Sequence, residues 1–444
     1  MELLLVFLCS FSVLLVSYFL FKGTVLDLNP KKGLVWGSLY YKNLVFVFIP
    51  LFMVQIYPLS ELSNNPPPAS KEMINRITIY SILAILFFTL TLAFLLRHSI
   101  LAREISRVDE FNRKYNLILR FGYLAAFFGL FIFSIGVLFL GHQHALIKAI
   151  VSGENLLSVR LGNAYSSNLP SQVTAFFSIA YKVSAVSGGV AFALGKRYQA
   201  ATLLFLALFI SSVGGAKAPL ATAIIFFTLS FVVVRPPNFT FKTFFWYFFV
   251  YPSAIVGAVY FITSYQIPNL NVFSFFEFIF KRLGFGQMAG VFNTFSLPSM
   301  DGDYYLHIVP FASILVDYPI YQKDLMLYVM NTSYEKTGIQ NSLFISEAYG
   351  IGGWGLAVLS PFIMGVSYFF GIFVLYIYLR FGFGESVAKY YILPMYLSSM
   401  SLTGGFSSFP LLKGVILIMI LLFPLAFVWK VLQFFSAEKI KHTI

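Results

Sequence analysis

The chain has 444 residues, of which 59% are hydrophobic and 11% charged, with a formal net charge of +13. A soluble chain of this length is about half apolar and about a quarter charged, so composition excludes a soluble enzyme, a disordered protein and a nucleic-acid-binding module. The basic residues lie between apolar runs, where they set orientation in a bilayer rather than contact nucleic acid. The single cysteine, Cys9, permits neither an internal disulfide nor a cysteine metal site.

Apolar runs of about 20 residues recur from end to end, each the length of a membrane-crossing helix. They lack the polar–apolar alternation of barrel strands. They predict an all-α polytopic integral membrane protein, one membrane domain over 1–444. Eleven transmembrane helices are expected near 2–21, 39–58, 77–96, 121–140, 171–194, 200–214, 218–234, 243–263, 353–379, 387–403 and 411–430. The first run is preceded only by Met1 and Glu2 and followed by Lys22, Lys31 and Lys32. That order is wrong for a cleaved signal peptide and predicts an N-terminus outside. Pro66-Pro67-Pro68 reads as a short extended outer loop. The segment 97–120 carries Arg97, Arg103, Arg107, Arg113, Lys114 and Arg120, so it is predicted to be cytoplasmic, and alternation from there puts the C-terminus inside.

The outer segment 141–170 holds His142 and His144, read as a solvated loop pair rather than metal ligands, and Arg160 within Ser158-Val159-Arg160-Leu161-Gly162-Asn163-Ala164-Tyr165. Lys182 falls midway along the fifth helix, where a charge costs about 2.5–3.5 kcal/mol on insertion scales. It is expected to face a cavity or a partner, the alternatives being a structural ion pair or a shifted span boundary. Between the sixth and seventh helices stands Gly214-Gly215-Ala216-Lys217-Ala218-Pro219. A Gly-Gly with a nearby Pro breaks a helix and predicts a tight re-entry. The longest outer segment, about 264–352, has no run long enough to span. Within Asn271 to Leu283, residues Phe276, Ile279, Phe280 and Leu283 recur at helical spacing opposite Glu277 and Lys281. This predicts an amphipathic helix, lying on the outer leaflet or packed on the spans.

The sequence has no Gly-rich loop ending in Gly-Lys-Ser/Thr and no His-Glu-x-x-His, and no cofactor or metal is expected. What remains is a set of cations on the predicted outer side: Arg160, Lys217, Lys281, Arg282 and Lys413, with Lys182 inside the span. Guanidinium groups pair bidentately with phosphate oxygens. Fixed cations stabilise the charge that develops on a diphosphate as its bond to a sugar breaks, and such a transfer needs no ATP. It does need a base for the acceptor hydroxyl. The outer candidates are Asp301, Asp303, His307, Asp317, Asp324, Glu335 and Glu347, with Glu347 leading and Asp303 and His307 behind it. Glu347 reads equally as the base or as the partner of an arginine.

Three stretches resemble the oligosaccharide repeat-unit polymerases, the O-antigen polymerases of the Wzy type. Arg160-Leu161-Gly162 resembles the family's arginine-bearing stretch in an earlier outer loop. Gly214-Gly215-Ala216-Lys217-Ala218-Pro219-Leu220 resembles its small-residue turn. Gln340-Asn341-Ser342-Leu343-Phe344 through Glu347-Ala348-Tyr349-Gly350-Ile351-Gly352-Gly353-Trp354-Gly355 resembles the exit of its long loop. The order of spans with one late, dominant periplasmic loop is also similar.

The resemblance implies a glycosyltransferase of the bacterial inner membrane, in lipopolysaccharide or other polysaccharide biosynthesis. It would move a growing glycan from undecaprenyl diphosphate onto the outer sugar of a lipid-linked repeat unit, without a metal. A flippase and a chain-length regulator would be its partners. Two positions depart from the pattern. Lys217 stands where arginine is expected and lacks the guanidinium fork. Gln340 stands where the related O-antigen ligases often carry a histidine, and glutamine cannot act as a base. The alternatives are a transporter of lipid-linked saccharide, supported by Lys182 but lacking the matched interrupted helices of transporter repeats, and a ligase, opposed by Gln340.

Overall fold

The computed structural model describes residues 2–28, 38–63, 66–99, 115–141, 143–160, 171–234, 250–267, 269–297, 302–330, 341–399 and 405–441. Secondary structure among them is helical, with no strand. Seven helices of the described residues are long and apolar enough to cross a membrane: Leu3–Phe21, Leu39–Ile56, Lys71–His98, Tyr115–Phe139, Phe176–Ala193, Phe344–Phe383 and Pro410–Val431. The other four expected runs also fall on helices, at Arg197–Ser212, Lys217–Val234, Tyr251–Ser264 and Glu385–Ser399. These are shorter, at 14 to 18 residues. The middle of 97–120 lies outside the described residues, as do His142, Asp301, Glu335 and Gln340.

The chain divides into two compact units. The first comprises Met1–Asp109, Phe276–Val374 and Ser399–Ile416; the second comprises Glu110–Phe275, Leu375–Ser398 and Leu417–Ile444.

In the first unit, Ser70 starts the Lys71–His98 helix by accepting a hydrogen bond from the Met73 N–H at 3.2 Å. Glu72 in the first turn and Arg97 in the last complement the helix dipole. Arg97 also donates to the carbonyls of Leu20 at 3.0 Å and Phe19 at 2.9 Å, satisfying acceptors left open at the end of Glu2–Phe21. The long Phe344–Phe383 helix is broken at Gly352 (φ −142°) and Gly353 (φ +65°). Only glycine takes the second conformation without strain. The break separates a two-turn segment carrying Glu347 from the apolar remainder, so helical structure begins nine residues before the expected 353.

In the second unit, Ser171–Ala193 packs against Tyr115–Leu140, Arg197–Ser212 and Lys217–Val234. Its small residues, Ala180, Ser184, Ala185, Ser187 and Ala191, are all fully buried. Small side chains let helix backbones approach closely where lipid gives no hydrophobic drive. Ser184 and Ser187 satisfy their hydroxyls on the carbonyls of Ala180 and Val183.

Candidate functional site

The second unit builds a cationic turn. Asn155 starts a short helix by accepting from the Leu157 N–H at 2.8 Å, and its amide donates to the Gln266 carbonyl at 3.0 Å. Gln266 donates in turn to the Gly215 carbonyl at 3.2 Å. The Leu156 N–H donates to Tyr265, and the Ala145 N–H to Val213. These bonds join the helix carrying Arg160 to the Gly214-Gly215-Ala216-Lys217 turn. Leu156, Val159, Ala145, Ala149 and Ile262 form the apolar core beneath.

Gly215 sits at φ +64°, and a Cβ there would meet Leu156 Cδ1 at 2.7 Å and Arg160 Cγ at 3.1 Å. The arginine stem therefore lies on the turn itself. Its guanidinium is half-buried, and burial lowers its pKa. Lys217 opens the Lys217–Val234 helix, whose first turn has no acidic residue. A cation there works against the helix dipole, while the first-turn N–H groups lack intrahelical acceptors. An anion satisfies both. The expected break is present: the helices Arg197–Ser212 and Lys217–Val234 part at this turn.

Lys182 is 6% exposed. Its ammonium donates to Ser178 Oγ at 2.9 Å and lies 5.4 Å from the centroid of the Tyr181 ring. The partners named for this intramembrane charge are thus a hydroxyl and an aromatic face. His144 departs from the solvated reading. It is 7% exposed and caps the Ala145–Ser152 helix, its Nδ1 accepting from the Ile147 N–H at 3.3 Å. Burial lowers its pKa. A helix start needed an acceptor, and the imidazole supplies one. Among the described residues no group of three metal-ligating side chains occurs.

The first unit builds a carboxylate clasp. Glu347 is 1% exposed. Its Oε2 accepts from the Ser407 N–H at 2.8 Å and its Oε1 from the Ser407 hydroxyl at 3.0 Å. A Cβ on Gly405 would overlap the same carboxyl. The Tyr321 ring occupies the space a side chain on Gly350 would need, and its hydroxyl donates to Thr294 at 3.1 Å. Burial pushes the Tyr321 phenol up to about 12. Lys413, at the start of the last helix, donates to the His307 carbonyl at 3.0 Å. Burial, and then the Lys413 ammonium, push the His307 imidazole down to about 4, so it is neutral near pH 7. Its Nδ1 is buried with no hydrogen-bond partner among the described residues.

The remaining candidates stand apart from the clasp's hydrogen bonds. Asp303 is exposed and makes no side-chain cap on Tyr304–Ile308. Asp317 is exposed. Asp324 is partly buried; burial raises its pKa, against a hydrogen bond from Tyr304. The predicted amphipathic helix is present at Val272–Gly284. Val272 (57%), Phe273 (88%) and Phe276 (57%) are exposed, and Phe280 packs edge-on against Tyr57. Lys281 is held by Glu277 at 3.0 Å, and Arg282 is exposed.

Sequence reasoning passed over Ser407, Gly405 and the Lys413–His307 contact. The segment that supplies them is short, mixed in composition and 60 residues beyond Glu347, and it carries no motif. No family model, curated protein or solved structure matches this chain.

Proposed function

We propose that the protein is a membrane glycosyltransferase that polymerises oligosaccharide repeat units carried on a polyprenyl diphosphate, at the outer face of a bacterial inner membrane and with all eleven helices as spans. One observation carries the reading most. Arg160 lies along the Gly215 turn that opens the Lys217 helix, so an arginine and a lysine share one end of the second unit at a helix start. That combination suits a diphosphate.

In the proposed reaction the acceptor hydroxyl oxygen attacks the anomeric carbon of the donor glycan. The bond from that carbon to the diphosphate breaks, and the diphosphate leaves with its electron pair. Arg160 and Lys217 are assigned to the developing charge, and the base for the hydroxyl proton is assigned separately, from the residue's own surroundings, to Glu347. His307, neutral near pH 7, is the second candidate for that proton. Lys182 stays structural in this reading, bound to Ser178. Arg282 and Lys281 sit on the amphipathic helix, where they face headgroups or the lipid-linked substrate.

The test is polysaccharide ladder analysis in a deletion strain carrying wild-type, Arg160→Ala or Arg160→Lys protein. Wild type restores long chains. Arg160→Ala leaves single capped repeats while still inserting in the membrane, and Arg160→Lys recovers only part, because an ammonium lacks the fork. Full-length polymer from Arg160→Ala overturns the site. Complete loss of surface saccharide in the deletion, with free carrier-linked units inside, points to transport instead.

A further inference from the structure

We propose that Ser407 is the positioning residue of Glu347: its N–H and hydroxyl together aim the carboxylate, and the turn that follows locks Ser407 in place. The inference rests on the reading of Glu347 as proton acceptor, and it names a partner that no sequence motif marks.

The geometry is a two-point grip. One residue supplies both donors, one to each carboxylate oxygen, at 2.8 and 3.0 Å. Two bonds from a single rigid residue fix the plane of the carboxylate, whereas one bond would leave it free to rotate. Each oxygen retains lone-pair capacity for an acceptor hydroxyl. Gly405 leaves out the side chain that would fill the carboxyl's place. A base held by a third group is the general arrangement of an activated catalytic pair, and groups that orient a reacting side chain must themselves be held.

Ser407 is held on both sides. Phe406 and Phe409 flank it at 2% and 0% exposure, and Phe409 stacks on Tyr368 with centroids 4.9 Å apart. Beyond them, Leu411 and Leu412 adopt φ of +61° and +53°. Leucine avoids this left-handed region because its Cβ crowds the following carbonyl. Leu411 is 59% exposed, so burial of its side chain does not account for the conformation. The next residue, Lys413, is pinned to the His307 carbonyl. Consecutive strained residues persist where contacts on either side over-determine them. Here those contacts are Ser407 on Glu347 and Lys413 on His307. The whole 405–413 stretch thus reads as a fitted bracket for one carboxylate.

The experiment uses full-length Ser407→Ala and Ser407→Thr proteins in nanodiscs, with the lipid-linked repeat unit as substrate. Alanine removes the hydroxyl and leaves the N–H; threonine keeps both donors. Ser407→Ala is expected to lower kcat by about tenfold or more with KM little changed, and Ser407→Thr to restore most of it. A second readout needs no activity: the rate at which dicyclohexylcarbodiimide labels Glu347, followed by mass spectrometry. Loss of the hydroxyl bond changes that rate by about tenfold, the worth of one hydrogen bond to a charged group, and threonine returns it to the wild-type value.

Unchanged or increased kcat in Ser407→Ala overturns the proposal, since the grip would then idle or sequester the carboxylate. Equal labelling of Glu347 in wild type and Ser407→Ala overturns the contact itself. If the wild-type protein makes no polymer, the polymerase reading falls, and the labelling ratio alone decides for or against Ser407.

Discussion

The cationic turn of the second unit and the carboxylate clasp of the first use the same device for opposite ends. Each sets a charged side chain against a glycine whose missing Cβ makes the room: Arg160 against Gly215, Glu347 against Gly405. At the turn, hydrogen bonds satisfy the backbone and Gln266, and the half-buried Arg160 guanidinium finds no carboxylate among the described residues. At the clasp the charge itself is satisfied, one donor to each oxygen. A group that binds a ligand must keep donors in reserve, because a donor already paired gains little from a new acceptor. A group that takes a proton needs orientation more than spare capacity. The contrast suits the turn to holding an anion and the clasp to holding a proton acceptor in a fixed orientation.

The largest expected effect separates the two roles. Glu347→Gln keeps the shape and removes the base, so kcat should fall by about 10²–10⁴ with substrate binding retained. Lys217→Ala should lower kcat/KM by about tenfold, since the diphosphate is held both when bound and as it leaves, with Lys217→Arg near wild type. Steady-state kinetics on the lipid-linked donor checks both. An effect confined to KM at Glu347 would remove it as the base.

The glycines come next. Gly405→Ala puts a methyl group into the Glu347 carboxyl, and Gly215→Ala combines a left-handed backbone with contacts to Leu156 and Arg160. Each should cost about 1–3 kcal/mol of stability, read as a lower unfolding temperature in detergent. Gly405→Ala should also depress kcat, and Gly215→Ala should weaken donor binding. Were either substitution silent, the close approach at that glycine would not be part of its site.

The two regions also differ in how far the sequence reveals them. The turn is local. Gly214, Gly215, Lys217 and Pro219 are adjacent in the chain, and the break they impose follows from backbone sterics. Even so, the packing of Arg160 on Gly215 joins positions 55 residues apart and is visible only in the fold. Glu347 was identifiable because it stands where the long outer segment leads back into an apolar run through Gly352 and Gly353. Its partner was not, because serine is common and the choice of Ser407 depends on a chain reversal that no periodicity records. His144 was misread for a related cause. A capping imidazole and a solvated one look alike in sequence, and only the hydrogen bond from the Ile147 N–H to the ring tells them apart.

The smallest effect, a pH dependence, sharpens the comparison because it belongs to one region alone. The His307 imidazole has a folded pKa of about 4 against an ordinary value of 6.5. Below pH 6.5 the unfolded chain binds a proton that the folded chain does not. The stability present above 6.5 is therefore lost progressively as the pH falls towards 4. His307→Gln removes the titrating group but keeps a polar side chain. Between pH 7 and 5 wild type should lose on the order of 1–2 kcal/mol more stability than His307→Gln, the upper end reduced by the partly exposed ring. Thermal unfolding of both proteins at the two pH values measures the difference. Arg160 stays protonated throughout this range, as guanidinium groups do in proteins. A change in donor binding over the same interval would then have to originate in the substrate phosphates. Parallel pH curves for wild type and His307→Gln would show that the fold leaves the imidazole at its ordinary pKa, and would remove the buried, neutral state that marks it as the second candidate for the proton.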